Sequence, residues 1–213
     1  QGHVQRGTLA NGLTWYVMPH RMPKARALVW LALDAGSVQE DDDQRGLAHM
    51  VEHMAFEGTR RFPKSSIVDW FEHIGMRFGP DVNAYTGFDQ TVYQLEVPTD
   101  DPTHLATALD VLRDWARDIE IQPASLERKR RVVLEEWRRG RGAQERVAEQ
   151  QRSVLFEGTR YAERTPIGLP DTIERAPQAT IERFYRDWYR PDLMAVIVVG
   201  DVDPVATRAA IEA

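Results

Sequence analysis

The sequence predicts an α+β domain in which a mixed, mostly antiparallel sheet is covered by helices. Three observations predict it: a hairpin signal near the N-terminus, strand-like runs interleaved with amphipathic helical patterns, and the absence of glycine-rich phosphate loops. No G-x-G-x-x-G follows a strand and no G-x-x-x-x-G-K-[ST] occurs, which disfavours a doubly wound nucleotide-binding sheet. A serine-hydrolase G-x-S-x-G elbow is missing as well.

The elements follow in order. Val4 to Thr8 and Leu13 to Met18 flank Ala10-Asn11-Gly12, and Asn-Gly suits a tight hairpin because both residues tolerate positive φ. Ala27 to Leu33 is an apolar strand ending at Asp34-Ala35-Gly36-Ser37. After an acidic loop, Glu40 to Asp43, comes a helix on which Leu47, Met50, Val51 and Met54 recur at helical spacing. Ser65 or Ser66 caps a second helix with Ile67, Trp70, Phe71 and Ile74 on one face, and Gly75 stops it. From Val82 to Val97 the pattern is strand-like, with Thr91, Tyr93, Leu95 and Val97 alternating against Val92, Gln94 and Glu96. Leu105, Leu109, Leu112, Trp115 and Ile119 mark the next helix. Pro123 opens another that runs to about Gly140, followed by a polar helix from Ala143 to Phe156. Thr180 to Tyr189 reads as helix, Met194 to Val199 as a buried strand, and Asp203-Pro204 opens a last helix.

With 213 residues, 42% of them hydrophobic, the chain can bury a sizeable core, and residues 1–213 are read as a single domain. A net charge of -6 argues against nucleic acid as a partner. The basic run Arg128-Lys129-Arg130-Arg131 lies inside a helical pattern with Leu126, Val132, Val133 and Trp137 and is read as a solvated helix face. No apolar stretch approaches a membrane span. Cysteine is absent, so disulfides, zinc fingers and thiol nucleophiles are excluded and His, Asp and Glu remain as metal ligands. The chain starts at Gln1 without methionine, and an upstream segment is expected to precede it.

His49-Met50-Val51-Glu52-His53 carries the chemistry. Residues four apart share a helix face, so His49 and His53 can turn their rings toward one ion, with Glu52 leaning to the same side. Zinc held by three protein ligands keeps one position open, and water bound there drops in pKa from about 16 to about 7. A neighbouring carboxylate can take that water's proton as it attacks a carbonyl and later pass it to the leaving amine, and Glu52 is the candidate base. The order is H-x-x-E-H, the inverse of the common H-E-x-x-H. A surface helix with two unrelated histidines is the plain alternative. His3, His20, His73 and His104 have no partner at metal spacing.

The wider chain resembles the M16 metallopeptidases, which include pitrilysin, insulin-degrading enzyme and the mitochondrial processing peptidase. The resemblance rests on Asn11-Gly12-Leu13, Ala35-Gly36-Ser37, Arg45-Gly46-Leu47-Ala48-His49, Glu52-His53-Met54-Ala55-Phe56 and Gly58-Thr59. It continues through Asn83-Ala84-Tyr85-Thr86, Thr91-Val92-Tyr93 and Val132-Val133-Leu134-Glu135-Glu136, from about residue 4 to residue 204. It implies a LuxS/MPP-like metallohydrolase fold and the metal-bearing N-terminal domain of a larger bacterial zinc protease, truncated at both ends. It also implies a periplasmic or secreted location and one Zn2+ per chain.

The implied third ligand is Glu136, with Glu135 as the alternative, and Glu136 is expected to share an inward helix face with Val132 and Val133. Relatives often carry a supporting glutamate seven residues before that ligand, where this chain has Lys129. Asn83, Ala84 and Tyr85 match the family's substrate-binding edge strand, where an extended peptide adds to the sheet. Tyr85 either lines a substrate pocket or packs on the core. The implied activity is a zinc-dependent endopeptidase cleaving peptides or unfolded proteins, completed by a C-terminal homologous domain or partner subunit. By itself the chain is expected to be a poor peptidase. A non-catalytic binding or assembly subunit of the same fold is the rival reading, and a structural zinc domain is the weaker third.

Overall fold

The computed structural model describes residues 3–213. It is an α+β fold, with strands β1 (Gln5–Thr8), β2 (Thr14–Pro19), β3 (Arg26–Leu33), β4 (Val82–Thr86), β5 (Thr91–Pro98) and β6 (Met194–Gly200). The helices are α1 (Leu47–Met54), α2 (Ser66–His73), α3 (Pro102–Arg117), α4 (Pro123–Gly140), α5 (Ala143–Leu155), α6 (Pro170–Arg175), α7 (Gln178–Trp188) and α8 (Pro204–Glu212). The strands form one sheet in the order β1-β2-β6-β3-β5-β4. Every pairing is antiparallel except β2 with β6, where Trp15 lies opposite Val196 and Val17 opposite Val198.

Alternation along the strands decides which face is covered. Ala27, Val29, Leu31 and Leu33 of β3 are buried while Leu28 between them is exposed, and Met194, Val196 and Val198 of β6 join the same core. Helices α3 and α8 pack on this sheet, and α1 packs against β4 at its edge. An antiparallel sheet with one covered face produces this in-out pattern. Leu47, Met50, Val51 and Met54 fix α1 in place, each fully buried, and each contributes about 1.5–3 kcal/mol by leaving water.

The structure corrects several readings. The run from Val82 to Val97 is two strands, because the chain turns back between Thr86 and Thr91 so that those two residues pair. Ile119 lies beyond the end of α3 and bridges to Thr59. Helix α6, six residues long, had no periodic signal strong enough to mark it. Arg130 does not belong to a solvated face: it is 6% exposed, and its guanidinium donates to the carbonyls of Ile173 and Ala176 at the end of α6. Val132 is 43% exposed, whereas its neighbour Val133 is fully buried. Residues one apart on a helix are about 100° apart around its axis, and on α4 that turn carries Val132 out of the covered face while Val133 stays within it.

Candidate active site

Helix α1 is held at its start by backbone and by a buried acid. Gly46 caps it in the left-handed region at φ 100°, which glycine reaches without a Cβ penalty. Gly168, at φ +72°, packs directly on it, and a Cβ there would lie 2.2 Å from Gly46 Cα. Glu40 folds inward from the acidic loop; its Oε2 accepts from Gly46 N at 3.0 Å and its Oε1 from Ala48 N at 2.9 Å. A carboxyl group at that end satisfies free N–H groups and complements the helix dipole. Burial pushes the Glu40 carboxyl up to about 8, against the opposing pull of these hydrogen bonds and of Arg164.

The two imidazoles of α1 meet at their outer nitrogens. His49 Nε2 and His53 Nε2 are 3.1 Å apart, and Glu136 Oε2 of α4 lies 3.6 Å from the first and 3.4 Å from the second. Ligand atoms placed tetrahedrally at 2.0–2.2 Å from zinc are separated by about 3.3–3.6 Å. The three atoms therefore already occupy one face of such a tetrahedron, and this set fits zinc. Among the described residues it is the one group of three or more His, Asp and Glu side chains close enough to share an ion. Glu135, the alternative ligand, is exposed and pairs with Arg138 instead.

Protonation favours the same reading. Burial first, then the neighbouring His53, drives His49 down to about 4. Burial and then the Lys129 charge drive His53 down to about 4. Both rings are neutral at pH 7, so their contacts with Glu136 are not ion pairs, and their lone pairs are available to a cation. Glu136 is 41% exposed at its side chain, which leaves the cluster open on the α4 side. One detail departs from a fully built metal centre: His49 Nδ1 is buried without a hydrogen-bond partner among the described residues, where ligating histidines usually have one.

Glu52 stands beside the cluster on the same helix. It is 8% exposed, and its Oε2 accepts a 2.6 Å hydrogen bond from Thr86 Oγ1 at the end of β4. Burial pushes its carboxyl up to about 7; the Thr86 hydrogen bond opposes this and the Glu136 charge adds to it. A carboxylate that exchanges its proton near neutrality suits general acid–base work.

Strand β4 forms one edge of the sheet, and no strand lies outside it among the described residues. Thr86 and Ala84 turn toward the α1 side, while Asn83 and Tyr85 alternate to the other face and are exposed. Tyr85 is therefore not packed on the core; its hydroxyl accepts from Gln90 Nε2 at 3.0 Å. Asn83 Oδ1 accepts from Ala84 N at 2.9 Å. The structure thus gathers His49, His53, Glu136 and Glu52, and leaves Asn83 and Tyr85 on the edge strand's opposite face. Sequence reasoning missed the roles of Thr86 and Glu40. Thr86 had stood only as part of a landmark, and nothing local distinguishes Glu40 from the aspartates that follow it.

The pattern described as Insulinase (Peptidase family M16) matches residues 16–165, and that of the Peptidase M16 inactive domain matches residues 177–213. The probable zinc protease PqqL of Escherichia coli strain K12 is 40% identical over 206 residues, covering 97% of this chain and 22% of that protein. The chloroplastic stromal processing peptidase of Pisum sativum is 30% identical, covering 93% of this chain and 15% of that protein. The crystal structure of the first half of the periplasmic protease PqqL from Escherichia coli superposes with a TM-score of 0.94 at 39% identity, over 98% of this chain and 45% of that one. The chain spans about a fifth of the length of the curated relatives it matches.

Proposed function

This chain belongs to peptidase family M16, and from that premise we propose that it carries the zinc centre and general base of an endopeptidase acting on peptides or unfolded proteins. The observation that carries the proposal is the convergence of His49 Nε2, His53 Nε2 and Glu136 Oε2 to within 3.1–3.6 Å of one another. Zinc bound there would supply Lewis acidity, polarising a carbonyl and making water acidic near neutral pH. The rest is the work of side chains. His49 and His53 present neutral nitrogens, and Glu136 contributes the negative charge that offsets part of the ion's. Glu52 accepts the proton of the attacking water and returns it to the amine that leaves, and Thr86 holds Glu52 in one orientation while it does so.

Substrate binding is proposed at Asn83, Ala84 and Tyr85. A peptide adding to the free side of β4 would run past Thr86 and Glu52, with Asn83 and Tyr85 contacting its side chains on the far face. A second homologous domain or partner subunit would complete the chamber, a proposal supported by the match at residues 177–213 and by the greater length of the relatives. A periplasmic or secreted bacterial location is proposed on the likeness to periplasmic PqqL. The intact ligand set weighs against the non-catalytic reading.

Elemental analysis of the purified chain beside Glu136→Ala tests the centre. About one zinc per chain, lost in the variant, is expected; a native chain that takes up no zinc would overturn it. In the complete enzyme, Glu52→Gln should retain zinc and lose roughly 10²–10⁴ of the rate on a quenched peptide.

A further inference from the structure

The metal ligands come from two helices, so something must set the register between them. A slip of α4 by one residue would move Glu136 about 1.5 Å along its axis and turn it by about 100°, taking its carboxylate away from the imidazoles. Two anchors hold α4, and neither touches the ligand atoms. On its buried side Arg130 is bound to the carbonyls of Ile173 and Ala176. On the side facing α1, Lys129 Nζ lies 3.0 Å from Glu57 Oε1 and Arg128 Nη2 lies 2.6 Å from Glu57 Oε2, so each carboxylate oxygen has its own cation. Glu57 and Lys129 are largely shielded from solvent, with side chains 16% and 22% exposed.

The geometry is that of two rows. His49, His53 and Glu57 are spaced by four along the end of α1 and the turn that continues it, where Glu57 N still bonds to Met54 O at 3.0 Å. Lys129 and Glu136 are seven apart on α4, two turns and about 10 Å along the same side. Glu57 meets the first of these, and the two histidines meet the second. The rows therefore run antiparallel, with contacts at both ends. Given the zinc reading, on which this rests, we propose that Glu57 and Lys129 are positioning residues for the metal centre: their ion pair, reinforced by Arg128, sets α4 on α1 so that Glu136 reaches His49 and His53.

The sign of one measurement separates this role from simple charge effects. Removing cations near the site favours a dication, so charge alone predicts that Arg128→Gln/Lys129→Met binds zinc more tightly. Loss of register predicts the opposite. Zinc affinity of the chain, by competition with a chromophoric chelator, should weaken about tenfold in the double variant and stay within about twofold of wild type in Lys129→Arg. The melting temperature of each metal-free chain is measured alongside, to show that the variants are folded. Unchanged or tighter binding in the folded double variant would overturn the proposal. Should that variant not fold, Lys129→Met, which leaves Glu57 its Arg128 partner, decides by the same sign. A wild-type chain that binds no zinc would remove both this proposal and the metal centre beneath it, whereas zinc-binding wild type with unaffected variants removes this one alone.

Discussion

Thr86→Val removes one hydroxyl and keeps the β-branched shape, so it isolates the hydrogen bond to Glu52. That bond is 2.6 Å long and ends on a carboxyl 8% exposed, where water has little room to replace the lost donor. A hydrogen bond to a charged group contributes about 1.5–3 kcal/mol. If all of it orients Glu52 and stabilises its ionised form during proton transfer, the rate falls by about 10- to 150-fold at one decade per 1.36 kcal/mol. The hydroxyl lies on the base and is assigned no substrate contact, so the loss belongs in kcat with KM little changed. The Thr86 bond holds the Glu52 carboxyl down against burial; without it the carboxyl is harder to ionise, and the acid limb of the rate profile moves to higher pH. Steady-state cleavage of a quenched peptide by the complete enzyme, from pH 5 to pH 9, reads all three quantities, and Thr86→Ser should recover most of the rate. A Thr86→Val enzyme within twofold of wild type at every pH, with zinc content intact, would refute the claim that Thr86 holds a catalytic base.

Two further outcomes are expected. Gly168→Ala places a Cβ 2.2 Å from Gly46 Cα at a residue with φ +72°; strain and overpacking together cost about 2–4 kcal/mol, a fall of about 5–15 °C in Tm for a chain this long, and a Tm within 2 °C of wild type would refute the close contact. The metal-free chain should lose stability relative to His49→Asn/His53→Asn as pH falls from 6.5 to 4, because the raised carboxyls of Glu40 and Glu52 act in the opposite sense in both proteins. Both His49 and His53 have folded values of about 4 against an ordinary 6.5, so the unfolded chain takes up protons across that window while the folded chain does not. Their contribution is fully present above 6.5 and gone below 4, about 3 kcal/mol or less for each ring. The difference in urea midpoint between wild type and His49→Asn/His53→Asn, taken at pH 7, 5.5 and 4, should show this decline, and a difference that does not change with pH would contradict it.

Much of the fold could be read locally, because local physics decides it. The Asn11-Gly12 hairpin, the apolar stripe of α1, the proline-opened α4 and α8 and the strand from Met194 all rest on periodicity, caps and turn chemistry within a dozen residues. Failures came where a neighbour in space decides. Arg130 looks like its basic neighbours until the carbonyls at the end of α6 meet it. Val132 and Val133 are equivalent by hydropathy, and only the direction from which α1 and α6 close on α4 determines which is buried.

The sequence by itself determined that His49, Glu52 and His53 would stand together, since helix geometry places residues three and four apart on one side whatever surrounds them. It placed the third ligand only through resemblance, with Glu135 and Glu136 both open. The tertiary structure brings Glu136, and not Glu135, to the two histidines by laying α4 along α1, and it supplied what no local pattern contains: Glu40 on the first turn of α1, Thr86 on Glu52, and Glu57 between two cations of α4. These groups meet across long stretches of chain, as β2 meets β6. Such contacts form because burying the shared core brings distant segments together, and that is a property of the whole chain.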